Sequence, residues 1–124
     1  IFDRGSGLNT IEKNWADKWK KIINKDYEII KIKKEKLTTL LKKYKCPKDF
    51  DLLNIDVEGH EIEVIKGLDF KIYKPKIILI EIHAKRTDEV FKSKVYKYLT
   101  KKNYELISQY YQTSFFKLKN FDPL

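Results

Sequence analysis

The chain has 124 residues, a hydrophobic fraction of 42% and a formal net charge of +9. That length and apolar content suit one domain with its own core and exclude a disordered chain. Of the 27 basic residues only Arg4 and Arg86 are Arg, and the Lys residues are scattered, so a solvated basic surface is expected and no nucleic-acid interface, which would favour Arg forks.

Gly5, Ser6 and Gly7 mark an N-terminal loop. Thr10 is placed to cap a helix whose apolar positions Ile11, Trp15, Trp19, Ile22 and Ile23 share one face. Tyr27–Lys33 alternates apolar and polar residues and predicts a strand with one exposed face. Leu37, Leu40, Leu41 and Tyr44 predict a short amphipathic helix, followed by a loop around Pro47. Leu52–Val57 is nearly continuous in apolar character and predicts a strand covered on both faces, as in a parallel sheet. A helix follows over Glu58–Lys66, with Gly67 as its C-terminal cap. Ile77–Ile82 predicts a second buried strand, and Thr87 a cap for a helix running to about Asn103. Tyr104–Tyr111 and Phe115–Lys119, separated by Gln112, Thr113 and Ser114, predict an antiparallel hairpin that closes the sheet edge. Alternation of this kind predicts an α/β sheet with flanking helices and right-handed crossovers.

Cys46 is the only cysteine, so no internal disulfide and no CxxC metal site exist; with no adjacent His it is expected to be inert. A reducing, cytoplasmic compartment is the expectation. No apolar run approaches the ~18 residues of a membrane span. The sequence contains no Met and begins at Ile1, which points to a processed, trimmed or partial chain.

The chemistry is concentrated in Phe50–Glu63, F-D-L-L-N-I-D-V-E-G-H-E-I-E, and in the end of the next strand at Glu81 and His83. Side chains two apart on a strand share a face, so Asp56 and Glu58 would point the same way if the strand ran through Glu58, as would Glu81 and His83. Open α/β sheets bind ligands at such carboxyl ends. Crowded, desolvated carboxylates there would be pushed toward neutrality. His83 would serve either as a general base for a hydroxyl or as the partner that keeps an acid ionised. Against this, Asp56 or Glu58 would equally serve as helix N-terminal caps, Glu81 as a partner for a Lys, and Gly59 as a tight turn instead of an opening for a ligand. His60 and Glu61 are expected on the exposed face of the helix. Asp56, Glu58 and His83 are of ligand types that could hold a divalent metal, but two or three ligands without a defined geometry do not establish a site, and no metal is predicted.

The segment D-F-D-L-L-N-I-D-V-E-G-H-E-I-E-V-I-K-G-L resembles the signature of the FkbM-type methyltransferase family. K-I-I-L-I-E-I-H resembles that family's next strand, and N-Y-E-L-I its following strand, with Asn103 where Gly is usual. Upstream, G-S-G-L-N-T-I and K-L-T-T-L-L resemble its preceding loop and helix, with Thr38 and Thr39 where acids are common.

The resemblance implies an S-adenosylmethionine-dependent O-methyltransferase on a partial Rossmann-like, class I methyltransferase-like sheet. It implies methyl transfer to a hydroxyl of a sugar or other small molecule. Carried onto this sequence, Asp56, Glu58 and His83 are the expected catalytic residues. Gly59, His60 and Glu81 are expected to bind the acceptor, and one acid or His83 would orient or deprotonate its hydroxyl. No residues are assigned to the cofactor. The chain is expected to be the C-terminal part of one methyltransferase domain, with the cofactor-binding half absent and S-adenosylmethionine binding weak as a consequence. The competing expectation is a non-catalytic module that recognises a glycan or a protein. An exposed edge at Leu52–Val57 would favour a homodimer or swapped assembly.

Overall fold

The computed structural model describes residues 1–2, 8–84 and 86–122. The loop predicted at Gly5–Gly7 lies outside them. The chain divides into two compact units, Ile1–Lys34 and Glu35–Leu124.

In the first unit, α1 spans Lys13–Ile23 and ends at Asn24 in the left-handed conformation (φ 50°). Glu12, not Thr10, holds the N-cap position, and Thr10 Oγ1 accepts from the Glu12 N–H two residues ahead (3.1 Å). Asp17 ties the helix to the segment after it, accepting from Lys13 Nζ and from the Tyr27 hydroxyl, both at 2.6 Å. The Tyr27 ring meets Phe2 edge-on at 5.6 Å, and the Glu28 N–H donates to the Ile1 carbonyl. The strand predicted at Tyr27–Lys33 is absent: 25–36 carry no regular secondary structure, and Ile29, Ile30 and Ile32 are exposed. A strand needs a neighbour to pair its N–H and C=O groups, and no described strand flanks this one.

The second unit is a mixed α/β layer. The elements run α2 (Leu37–Lys43), β1 (Leu52–Ile55), α3 (Glu61–Lys66), β2 (Ile77–Glu81), α4 (Thr87–Lys92), α5 (Lys94–Thr100), β3 (Tyr104–Tyr110) and β4 (Thr113–Leu118). The sheet order is β1-β2-β4-β3, with β1 and β2 parallel and the β3–β4 hairpin antiparallel. It is the second strand of the hairpin that lies beside β2.

One face of β2, through Ile78 and Ile80, packs into a core with Ile55, Ile65, Leu68, Val90, Leu99, Tyr104 and Phe116. No helix among the described residues is long and apolar enough to cross a membrane.

Several boundaries differ from the sequence-based expectation. β1 stops at Ile55 and is an edge strand; Leu52 and Asn54 are exposed, so its two faces are not both covered. The helix predicted from Glu58 begins at Glu61 because the chain first makes a turn. Gly67 does end α3, but with right-handed backbone (φ −72°). Its lack of a side chain matters for another reason: a Cβ there would sit 3.0 Å from Val64 O and 3.2 Å from Leu37 N. The helix expected from Thr87 to about Asn103 is broken at Ser93, whose hydroxyl accepts from the Tyr96 N–H (3.0 Å) and caps α5. Thr87 is the first helical residue of α4, not its cap. Asn103 takes the left-handed backbone (φ 69°) that Gly adopts freely and Asn tolerates. The hairpin turn is Tyr111–Gln112, and Thr113 and Ser114 belong to β4.

Candidate functional site

The parallel register of β1 and β2 pairs Ile55 with Ile80, so both strands finish at the same level. Asp56 leaves the end of β1, and Glu81 is the last residue of β2. Past Ile55 the chain makes a tight turn in which Glu58 (φ 52°) and Gly59 (φ 99°) both have left-handed backbone. Glu61 holds this turn. Its side chain is buried, and Oε1 accepts from the N–H of Gly59 (3.0 Å) and of Val57 (3.3 Å). Burial of Glu61 overturns its expected exposure on the helix: the carboxylate bends back to satisfy donors that no strand partner takes.

The turn swings Glu58 back over the strand end. Carboxylate oxygens of Asp56, Glu58 and Glu81 lie within 4.8 Å of one another. The expected convergence is therefore present, but it arises from the left-handed turn and not from strand alternation. Asp56 and Glu58 are exposed, and Glu81 is half-buried. Burial pushes the Glu81 carboxyl above its ordinary range; His83 opposes the shift, and Asp56, Glu58 and Glu61 add to it. Glu81 Oε2 is itself buried and has no hydrogen-bond partner.

His83 completes the group. Its Nε2 lies 3.6 Å from Glu81 Oε2, beyond hydrogen-bond length but within reach of a charge pair. Its Nδ1 lies 2.7 Å from Gln112 Oε1. The Gln112 backbone carbonyl accepts from the Ile82 N–H (2.8 Å), which fixes the hairpin turn against the end of β2. His60 occupies the N-cap position of α3 and pairs with Glu63 one turn on (Nδ1–Oε2 4.0 Å). Gly59 has open space where a Cβ would stand, so the backbone angle, not crowding, calls for glycine here.

A depression of about 220 Å³ is lined by Ala84, Arg86, Thr87, Gln109 and Tyr111. A cavity of about 130 Å³ at the other end of the sheet is lined by Phe70, Lys74, Lys102 and Tyr104.

The chemical capacity of this arrangement is specific. Three carboxylates offer hydrogen-bond acceptors for hydroxyl groups, and one imidazole stands at their edge. The same oxygens are of the hard type that suits Mg²⁺ or Ca²⁺. Exposed acids group in this way without an ion as well, and His83 is not within that oxygen set. Sequence reasoning named Asp56, Glu58, Glu81 and His83, which the fold brings together. It missed Glu61, which shapes the turn, and Gln112, which touches the imidazole. The sequence marked Gln112 only as a residue of the hairpin turn; its place beside the end of β2 follows from the strand order, which the sequence does not state.

Residues 3–106 match the family described as the Methyltransferase FkbM domain. No curated protein and no solved structure matches the chain. The family match covers most of the 124 residues, including both strand ends that carry the acid cluster; the chain belongs to the FkbM methyltransferase domain family.

Proposed function

We propose that this chain supplies the acceptor side of an S-adenosylmethionine-dependent O-methyltransferase built on a Rossmann-like sheet. The acceptor is a hydroxyl of a sugar or another small molecule. One observation carries the reading: in a methyltransferase-family chain, Asp56, Glu58 and Glu81 meet within 4.8 Å at the shared end of two parallel strands, with His83 against Glu81. Strand ends of this kind are where open α/β sheets bind ligands.

In this reading Asp56 and Glu58 accept hydrogen bonds from the acceptor's hydroxyl groups and fix its orientation. The proton of the reacting hydroxyl passes to His83 Nε2. Glu81, 3.6 Å from that same nitrogen, stabilises the imidazolium once formed. Gly59 and His60 form the rim nearest the turn. Positioning is the main contribution a protein makes to such a transfer.

S-adenosylmethionine supplies the methyl group when bound. Pockets for ligands of that size run from about 300 Å³ upward, whereas the two cavities described above hold about 130 and 220 Å³. Neither of these two cavities holds that cofactor. The reading also places the reaction in the cytoplasm, where Cys46 stays reduced.

The test is label transfer. The full-length protein that contains this chain is incubated with methyl-labelled S-adenosylmethionine and a panel of sugars and other hydroxyl compounds. An alkali-stable methyl ether is expected, lost in Asp56→Ala and strongly reduced in His83→Ala. Label on a carboxyl or an amine, or undiminished transfer by both variants, would overturn the reading. Absence of transfer together with binding of a glycan or protein would favour a non-catalytic module.

A further inference from the structure

We propose that Gln112 is a positioning residue for His83: its side-chain oxygen accepts the Nδ1 proton and leaves the Nε2 lone pair facing Glu81 and the acceptor hydroxyl. The inference deepens the reading of His83 as the base and rests on it for its functional meaning, but not for its structural content.

With the Gln112 amide oxygen turned to the ring, the two distances around it favour one tautomer. Gln112 Oε1 stands 2.7 Å from Nδ1, and Glu81 Oε2 stands 3.6 Å from Nε2. An amide oxygen can only accept. At 2.7 Å the neutral ring makes a full hydrogen bond only if Nδ1 carries the proton; otherwise two lone pairs face each other. A proton on Nε2 would gain only the longer contact to Glu81, which is outside hydrogen-bond range. The unprotonated nitrogen is thus the one directed at the acid cluster. A hydrogen bond on one ring nitrogen sets what the other can do.

Gln112 is well placed to hold this geometry. It sits in the two-residue turn between β3 and β4, beside Tyr111 with its left-handed backbone (φ 58°). Its own carbonyl is bonded to the Ile82 N–H, one residue before His83. The strand pairing of Glu81 with Thr113 continues that attachment. Both ends of the contact are therefore fixed to the same pair of strands.

The experiment is nitrogen–proton correlation spectroscopy of the ¹⁵N-labelled full chain at alkaline pH. The chain contains only His60 and His83, and a His60→Gln variant assigns the signals. The expected result is a protonated Nδ1 and a bare Nε2 on His83. Gln112→Leu is expected to move the proton to Nε2 in most molecules, and Gln112→Glu, which keeps an accepting oxygen, to retain it on Nδ1. A protonated Nε2 in the unaltered chain, or an unchanged tautomer in a folded Gln112→Leu variant, overturns the proposal. If Gln112→Leu fails to fold, the spectrum of the unaltered chain and that of Gln112→Glu decide. The tautomer is read without turnover. A protonated Nδ1 combined with undiminished transfer in His83→Ala would refute the base role and leave the positioning contact standing.

Discussion

The carboxylate of Glu61 holds the N–H of Gly59 at 3.0 Å, and this contact sets the turn that delivers Glu58 to the acid cluster. The same oxygen takes the Val57 N–H at 3.3 Å. Removing it in Glu61→Ala leaves two backbone donors without that acceptor and vacates a buried volume. The expected loss is about 2 kcal/mol of stability, in the range for hydrogen bonds to a charged group. Glu61→Gln keeps an accepting oxygen and should lose less. Urea unfolding midpoints check both, and an unchanged midpoint in Glu61→Ala would show that the turn is held by something else.

Two glycines, one on each side of α3, should respond to alanine for different reasons. At Gly59 the space is open but φ is 99°, which an L side chain rarely adopts. Gly59→Ala should destabilise by about 1–2 kcal/mol through backbone strain. At Gly67 the backbone is ordinary, but the new Cβ would press on Val64 O and Leu37 N, atoms that cannot rotate away. Gly67→Ala should therefore disturb the contact between α2 and α3. Amide hydrogen exchange separates the two: protection should fall at the Asp56–His60 turn in the first variant and at Thr38 and Asp69 in the second.

Glu81 should make the fold less stable as pH rises. Its folded-state pKa is raised above the ordinary 4.5, first by burial. The native chain therefore holds the Glu81 proton more tightly than the unfolded chain does. That contribution is fully present below the unfolded pKa and is lost as pH rises through the folded one. Glu81→Gln removes it, so the stability of the variant relative to the parent should grow with pH from about the ordinary carboxyl pKa upward. Urea unfolding of both proteins across acidic to neutral pH measures this difference. A difference that shrinks with rising pH would mean that His83 outweighs burial.

The uneven legibility of the sequence has physical causes. Ile77–Ile82 was readable because a central strand needs apolar residues in a row, and Ile78 and Ile80 are indeed fully buried. The same rule misled at Leu52, where an apolar residue lies on an exposed edge. Alternation at Tyr27–Lys33 fits a strand, yet pairing requires a neighbour that the segment itself does not specify. At the site, the acids and His83 were recognisable by type and by their positions at strand ends. Their actual meeting depends on left-handed backbone at Glu58, which is uncommon for a non-glycine residue and carries no sequence mark. Glu61 was misread because helical periodicity assigns exposure without knowing which loop precedes the helix.

Thr38 illustrates the kind of bond that residue type alone does not reveal, and it supplies a further test. Its hydroxyl donates to the Gly67 carbonyl (2.9 Å) and accepts from the Asp69 N–H (2.7 Å), while its own N–H also donates to Gly67 O (3.1 Å). The start of α2 is thereby fastened to the exit of α3, the helix that carries Glu61. Thr38→Val preserves the shape but removes both hydroxyl bonds. With each bond worth about 1 kcal/mol net, the expected destabilisation is about 2 kcal/mol. Thr38→Ser keeps the hydroxyl and should stay close to the parent. If the valine variant matches the serine variant in urea unfolding, the hydroxyl contributes nothing, and the backbone bond from Thr38 N–H is sufficient to join the two helices.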